Sequence, residues 1–161
     1  MKKVVILTVL VCLSLNISAQ IQRTFFGLEL GKSTSEQVFE SLKDKDAFYE
    51  TLNGEKSIIV KNTRFGGYEW DYAIFSFYNN LLTSVLFEDF NNPNSGDRYD
   101  KIIYTIYPKY REYIKKFTPD TQSYKDDRTI LIINKEKDNV SMMYSDIELY
   151  DEQSVNERNE F

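Results

Sequence analysis

The sequence predicts an α+β protein in two layers, helices packed on one face of an antiparallel β-sheet, and three observations carry that prediction. Runs with a period of two flank two short turns, Asn53-Gly54 and Asn79-Asn80. Asn-Gly is the strongest short-range hairpin signal, because a two-residue type I′ turn needs positive φ at both central positions. Two other segments carry apolar residues three and four apart, the mark of one buried helical face. The strands come in runs and the helices stand apart from them, which is the order of an antiparallel sheet covered on one side.

The chain opens Met1-Lys2-Lys3, continues with an apolar run over residues 4–13 and closes that segment with Ile17-Ser18-Ala19-Gln20. This reads as a signal peptide over residues 1–19: a basic start, an apolar core too short for a bilayer of roughly 30 Å, and a small residue before the cleavage point. Val11 precedes Cys12, so no lipobox and no membrane anchor are expected. Cleavage after Ala19 removes Lys2, Lys3 and the one cysteine. A single α+β domain is expected over 20–150, and a charged, disordered tail over 151–161.

Within that domain, Ser33 and Glu36 are spaced as a capping box, and Val38, Phe39 and Leu42 share a face, which predicts a helix over 34–45. Phe25-Phe26-Gly27-Leu28-Glu29-Leu30 forms an apolar lead-in. Strands follow over 47–52 and 55–60, and over 70–78 and 81–90, with Gly66-Gly67 joining the two hairpins. Residues 91–96 are a loop by composition. Tyr99, Ile102, Ile103, Ile106, Tyr110, Tyr113, Ile114 and Phe117 then form one helical stripe, with Tyr104 outside it and Pro108 in its middle predicting a kink or a break. The last strands are expected over 121–124, 129–133 and 140–145. The order suggests a helix-plus-meander unit used twice.

Composition removes whole classes of chemistry. The chain has 161 residues, no histidine, one cysteine and a formal net charge of −5. Without histidine there is no Ser-His-Asp triad, no Cys-His pair and no HExxH zinc helix. Without the cysteine of the leader there is no disulfide, and neither a transition metal nor a cofactor is expected. The 20 Lys and Arg against 25 Asp and Glu are scattered, the densest point being Arg111 with Lys115 and Lys116, so nucleic acid is not an expected partner. A basic or zwitterionic protein suits the acidic balance better.

A two-residue turn at Asn79-Asn80 pairs Tyr78 with Leu81, Ile74 with Val85 and Asp71 with Glu88. That register puts Ala73, Phe75, Phe77, Leu82 and Leu86 on the helix-covered face. It leaves Trp70, Tyr72, Tyr78 and Phe87 on the other, among Ser76, Thr83, Ile74 and Val85. Trp and Tyr combine large contact area with a polar handle, so these four are the candidate partner-binding residues; the alternative is that they pack beneath a loop or the chain's tail. Asp71 facing Glu88 is an unusual cross-strand pair that invites comparison with a retaining glycosidase dyad. The plainer reading is two carboxylates splaying into water at the end of a hairpin. Residues 89–97 are rich in oxygen ligands but fail the EF-hand pattern at Pro93, and Asx turns with a helix cap at Asp97 account for them.

The run from Gly27 to Val38, with Gly31, Ser33, Thr34, Glu36 and then Leu42, resembles the G-x-S/T-xx-E-V-xxx-L entry helix of small exported bacterial proteins. It is similar to that of the β-lactamase-inhibitor-protein fold, of the small lipoprotein subunit of the outer-membrane barrel assembly machinery, and of secreted proteins of Bacteroidetes, which share the Ala-Gln leader ending. The resemblance implies helices packed on an antiparallel sheet and a binding role for the open sheet face. The expectation is therefore a periplasmic or secreted, non-enzymatic protein-binding module, whether inhibitor, immunity protein or assembly accessory, with its partner in the cell envelope or outside. A glycan binder using the same aromatics is the alternative, and a hydrolase built on Asp71 and Glu88 a more remote one.

Overall fold

The computed structural model describes residues 20–52 and 55–159. The segment read as a signal peptide and the Asn53-Gly54 turn lie outside the described residues. Among these residues the fold is α+β, with an eight-stranded antiparallel sheet, a two-stranded sheet and three α-helices. Strands β1 (Thr24–Phe25) and β2 (Leu28–Glu29) make the small sheet from the predicted lead-in. Phe26 and Gly27 turn between them with φ of 53° and 83°, the left-handed pair that a tight primed turn requires.

Helix α1 (Ser35–Leu42) is capped one residue later than the sequence suggested. Thr34, not Ser33, is the N-cap, and it exchanges hydrogen bonds with Gln37, not Glu36. The Ser33 hydroxyl instead accepts from the Glu29 amide at 2.9 Å. A short 3₁₀ turn over Lys43–Lys45 completes the predicted length. The first meander follows as β3 (Phe48–Leu52), β4 (Glu55–Phe65), β5 (Tyr68–Tyr78) and β6 (Leu81–Asp89). Helix α2 (Ser95–Tyr110) then begins after Asn94, with Asp97 in its first turn rather than at its cap.

The stripe predicted to carry α2 on to Phe117 does not stay helical. Pro108 removes a backbone donor in the last turn, and a 3₁₀ turn at Arg111–Tyr113 leads straight into β7 (Ile114–Phe117). The second meander is β7, β8 (Thr121–Lys125), β9 (Thr129–Glu136) and β10 (Asn139–Asp146). A third helix, α3 (Ile147–Asn159), continues through the residues read from their charge as a tail. Between the small hairpin and α3 the described chain is thus one helix and four strands, twice. The sheet order β3-β4-β5-β6-β10-β9-β8-β7 joins the two meanders through their last strands.

Cross-strand register sorts the large sheet into two faces. On the covered face one row runs Val60, Ala73, Phe87, Met142, Ile133, Gln122, and the next Ile58, Phe75, Val85, Tyr144, Leu131, Tyr124. Every one of these is buried, and α1 (Val38, Leu42), α2 (Tyr99, Ile102) and the small hairpin close over them. Phe25 of that hairpin sits at the centre, 4.8 Å from the Tyr144 ring and 5.4 Å from Phe65, which itself stacks on Phe87 at 4.3 Å. Burying each such aromatic contributes about 1.5–3 kcal/mol.

Arg23 fastens the hairpin to the sheet. Its guanidinium reaches the Asp146 carboxylate at 2.5 Å and donates to the carbonyls of Arg128 and Leu30, with both charged side chains nearly excluded from water. Gly31, at φ 76°, passes so close that a Cβ there would lie 2.6 Å from the Asp146 carboxylate. The other oxygen of Asp146 accepts from the Leu149 amide and anchors the start of α3.

Two backbone irregularities move residues from their predicted faces. Between Ser76 and Phe77 the β5–β6 register shifts by one, because Thr83 is an extra residue on β6: Ser76 faces Ser84, while Phe77 faces Leu82. Beyond this bulge Phe87 lies opposite Ala73 and Leu86 opposite Ile74, so Phe87 and Val85 turn into the core and Leu86 turns out. The bulge is held from outside the hairpin, since the Leu82 amide donates to the Ser33 carbonyl and its carbonyl accepts from the Gly31 amide, both at 2.8 Å. Farther along, Asn62 takes a φ of 49° within β4, and beyond it the alternation changes phase. Thr63, Phe65 and Trp70 therefore point towards the core, where the Trp70 indole donates to the Phe65 carbonyl.

Candidate functional site

The candidate site is the other face of the large sheet. One row across it runs Phe48, Ile59, Ile74, Leu86, Met143, Ile132. None of the six packs against the main core, although Ile59 is itself buried. On one side lies a row of serines, Ser57, Ser76, Ser84 and Ser145, and on the other Lys61, Tyr72, Glu88 and Ser141. Helix α3 crosses the serine side, packing on β10 and β5 and donating from the Asn156 amide to the Tyr78 hydroxyl. No described helix covers the opposite side.

At that uncovered side, over β3–β6, the face hollows into a cleft of about 760 Å³. Ile59 and Ile74 floor it. Phe90, just past β6, meets Tyr72 edge-on at 5.8 Å, and Phe48 stands at the β3 edge with the Lys61 ammonium 5.4 Å from its ring centre. Three carboxylates, Glu50, Asp71 and Glu88, line the cleft against one lysine. The Asp71 carboxylate accepts from the Phe90 amide at 2.8 Å, which fixes the turn out of β6. Glu88 is half-buried and forms no hydrogen bond or ion pair with a described residue. Burial, and then repulsion from Glu136, raise its carboxyl above the ordinary value.

The sequence-derived candidates divide accordingly. Trp70 and Phe87 are core residues, 1% and 0% exposed, and do not reach the open face. The bulge and the Asn62 kink are the reasons. Tyr78 is on the open face but engaged by α3, which leaves Tyr72 as the tryptophan-and-tyrosine candidate that borders the cleft. Asp71 and Glu88 both line the cleft but are not cross-strand partners, since Glu88 faces Tyr72. Part of the open apolar row, Ile59 and Ile132, does have a signal in the sequence. Ile58-Ile59-Val60 and the run Ile130 to Ile133 are apolar at consecutive positions, so those strands present apolar side chains on both faces.

A second apolar hollow, about 430 Å³, lies outside α2 between Tyr104, Tyr107, Pro108 and Phe117. Tyr104 is 83% exposed, in keeping with its position outside the helical stripe. Comparison with known proteins returns no match to this chain among protein-family models, curated sequences or solved structures.

Proposed function

We propose that this chain is an exported, non-enzymatic protein-binding module that docks its partner on the open face of the large sheet, at the cleft over β3–β6. The observation that carries the reading is the row Phe48, Ile59, Ile74, Leu86, Met143, Ile132: apolar, contiguous across six strands and packed against no part of the main core. A contiguous apolar patch left beside a polar rim marks an interaction surface more often than a structural accident. Tyr72 and Phe90 add rings that bury large area at small entropic cost.

The test is capture of a partner from envelope extract by the parent protein and by Ile74→Lys and Met143→Lys, each checked for native circular dichroism and thermal unfolding. The expected result is a partner retained by the parent and lost by both folded variants. Equal capture by all three would overturn the reading. The aromatic pair Tyr72 and Phe90 beside carboxylates also suits a sugar ring, and a glycan panel followed through the cleft's NMR resonances separates that second reading from the first. Fluorescence of the single tryptophan is a poor reporter, because Trp70 lies in the core.

A further inference from the structure

Glu88 stands in an unfavourable position for a carboxylate unless something arrives to meet it. It is half-buried on the floor of the cleft, makes no hydrogen bond or ion pair with a described residue, and has the like charge of Glu136 near it. Leaving a partly desolvated charge uncompensated is costly, whereas a charge-assisted hydrogen bond to it is among the stronger polar interactions. Asp71 is partly engaged, one of its carboxylate oxygens accepting from the Phe90 amide. Glu88 keeps its full acceptor capacity, which suits a cationic head group.

The walls fit the same guest. Tyr72 and Phe90 present rings beside Glu88, and Phe48 already has a cation near its ring, that of Lys61. Ring faces attract ammonium and guanidinium groups, most strongly where water is thinned out. Ile59 and Ile74 offer an apolar floor for the methylene stem of a long basic side chain. The cleft's carboxylates exceed its cations, and the chain as a whole is acidic.

We propose that the cleft receives an arginine or lysine side chain carried by the protein partner, its head group meeting Glu88 beside the Tyr72 and Phe90 rings. This rests on the open-face docking reading and names the chemistry the partner must bring.

The probe is a blocked pentapeptide, acetyl-Ala-Arg-Ala-Arg-Ala-amide, titrated into the purified protein and followed by NMR, against the same peptide with citrulline in place of arginine. Citrulline keeps the shape and removes the charge. The arginine peptide is expected to shift the resonances of Tyr72, Ile74 and Glu88 and to bind at least tenfold more tightly than the citrulline peptide. Glu88→Gln is expected to weaken it at least fivefold with the fold intact, and Glu148→Gln on α3 to leave it unchanged. Equal binding of the two peptides, shifts confined to residues outside the cleft, or full binding by Glu88→Gln would overturn the inference. Partner capture lost in Ile74→Lys but kept at parental strength in Glu88→Gln would leave docking standing and remove the cation from it.

Discussion

Tyr72 and Ala73 follow one another on β5 yet belong to different environments. Ala73 lies in a row of six buried residues that two helices and a hairpin close over, while Tyr72 lies beside Glu88 on a face that, among the described residues, α3 alone crosses, and at its far side. The covered face is built from residues held by several neighbours each: Phe87 meets four other rings, and Arg23 satisfies two carbonyls and a carboxylate at once. The open face has the same strand spacing but a single apolar row, set between serines on one side and Lys61, Tyr72, Glu88 and Ser141 on the other, and no described residue forms a second layer over the cleft. Burial therefore follows both what is stacked on the sheet and how far the apolar rows extend beside one another.

Substitutions on the two faces should therefore diverge in size. Trp70→Ala and Phe87→Ala are expected to cost about 3–5 kcal/mol each in urea unfolding, by removing large rings from a packed interior. A loss below about 1 kcal/mol for either would show that the two faces are not so different. Next comes Arg23→Leu, which leaves Asp146 charged and nearly dry with its main cation gone. We expect a loss of about 3 kcal/mol by the same measurement.

Ile74→Ala, on the open row, should cost about 1 kcal/mol, because Ile74 keeps part of its surface in water and leaves no sealed cavity behind. A loss as large as that of Phe87→Ala would mean that the open face is structural. The smallest effect has the opposite sign. Because the Glu88 carboxyl is raised in the folded state, the folded protein holds that proton more readily than the unfolded chain, and stability falls as pH rises from the ordinary value of 4.5 through the raised one. Glu88→Gln is expected to raise the melting temperature slightly at pH 7. The gain should vanish as pH falls below 4.5.

Much of this architecture can be read from short-range chemistry. Asn79 and Asn80 turn with φ of 49° and 64°, as a two-residue primed turn demands, and the strands on either side follow from the turn. The bulge at Thr83 is different in kind. It is stabilised by Gly31 and Ser33, about fifty residues earlier, so no local pattern announces it, and one extra residue exchanges the faces of Leu86 and Phe87. Asn62 acts similarly on Trp70. The helical phase of Tyr110, Tyr113, Ile114 and Phe117 also misleads, because apolar spacing alone does not register that β8 has an edge to be paired. Of the candidate site, Tyr72, Asp71 and Glu88 were legible as residues. Phe48 and Phe90 were not, since they come to the cleft from the sheet's rim and a loop.

The joint between the two meanders has a consequence for how the chain reaches this state. Every pairing in the large sheet except one links strands adjacent in sequence, and the exception is β6 with β10. Local hairpins form in microseconds, whereas contacts distant along the chain must first overcome loop closure. Each half can therefore zip up on its own schedule, and the β6–β10 seam is expected to close last and to set the overall rate. Until it closes, both halves expose an unpaired inner strand, so a crowded refolding mixture offers the same seam in another molecule. Dimers exchanging whole meanders, rather than amorphous precipitate, are the expected by-product.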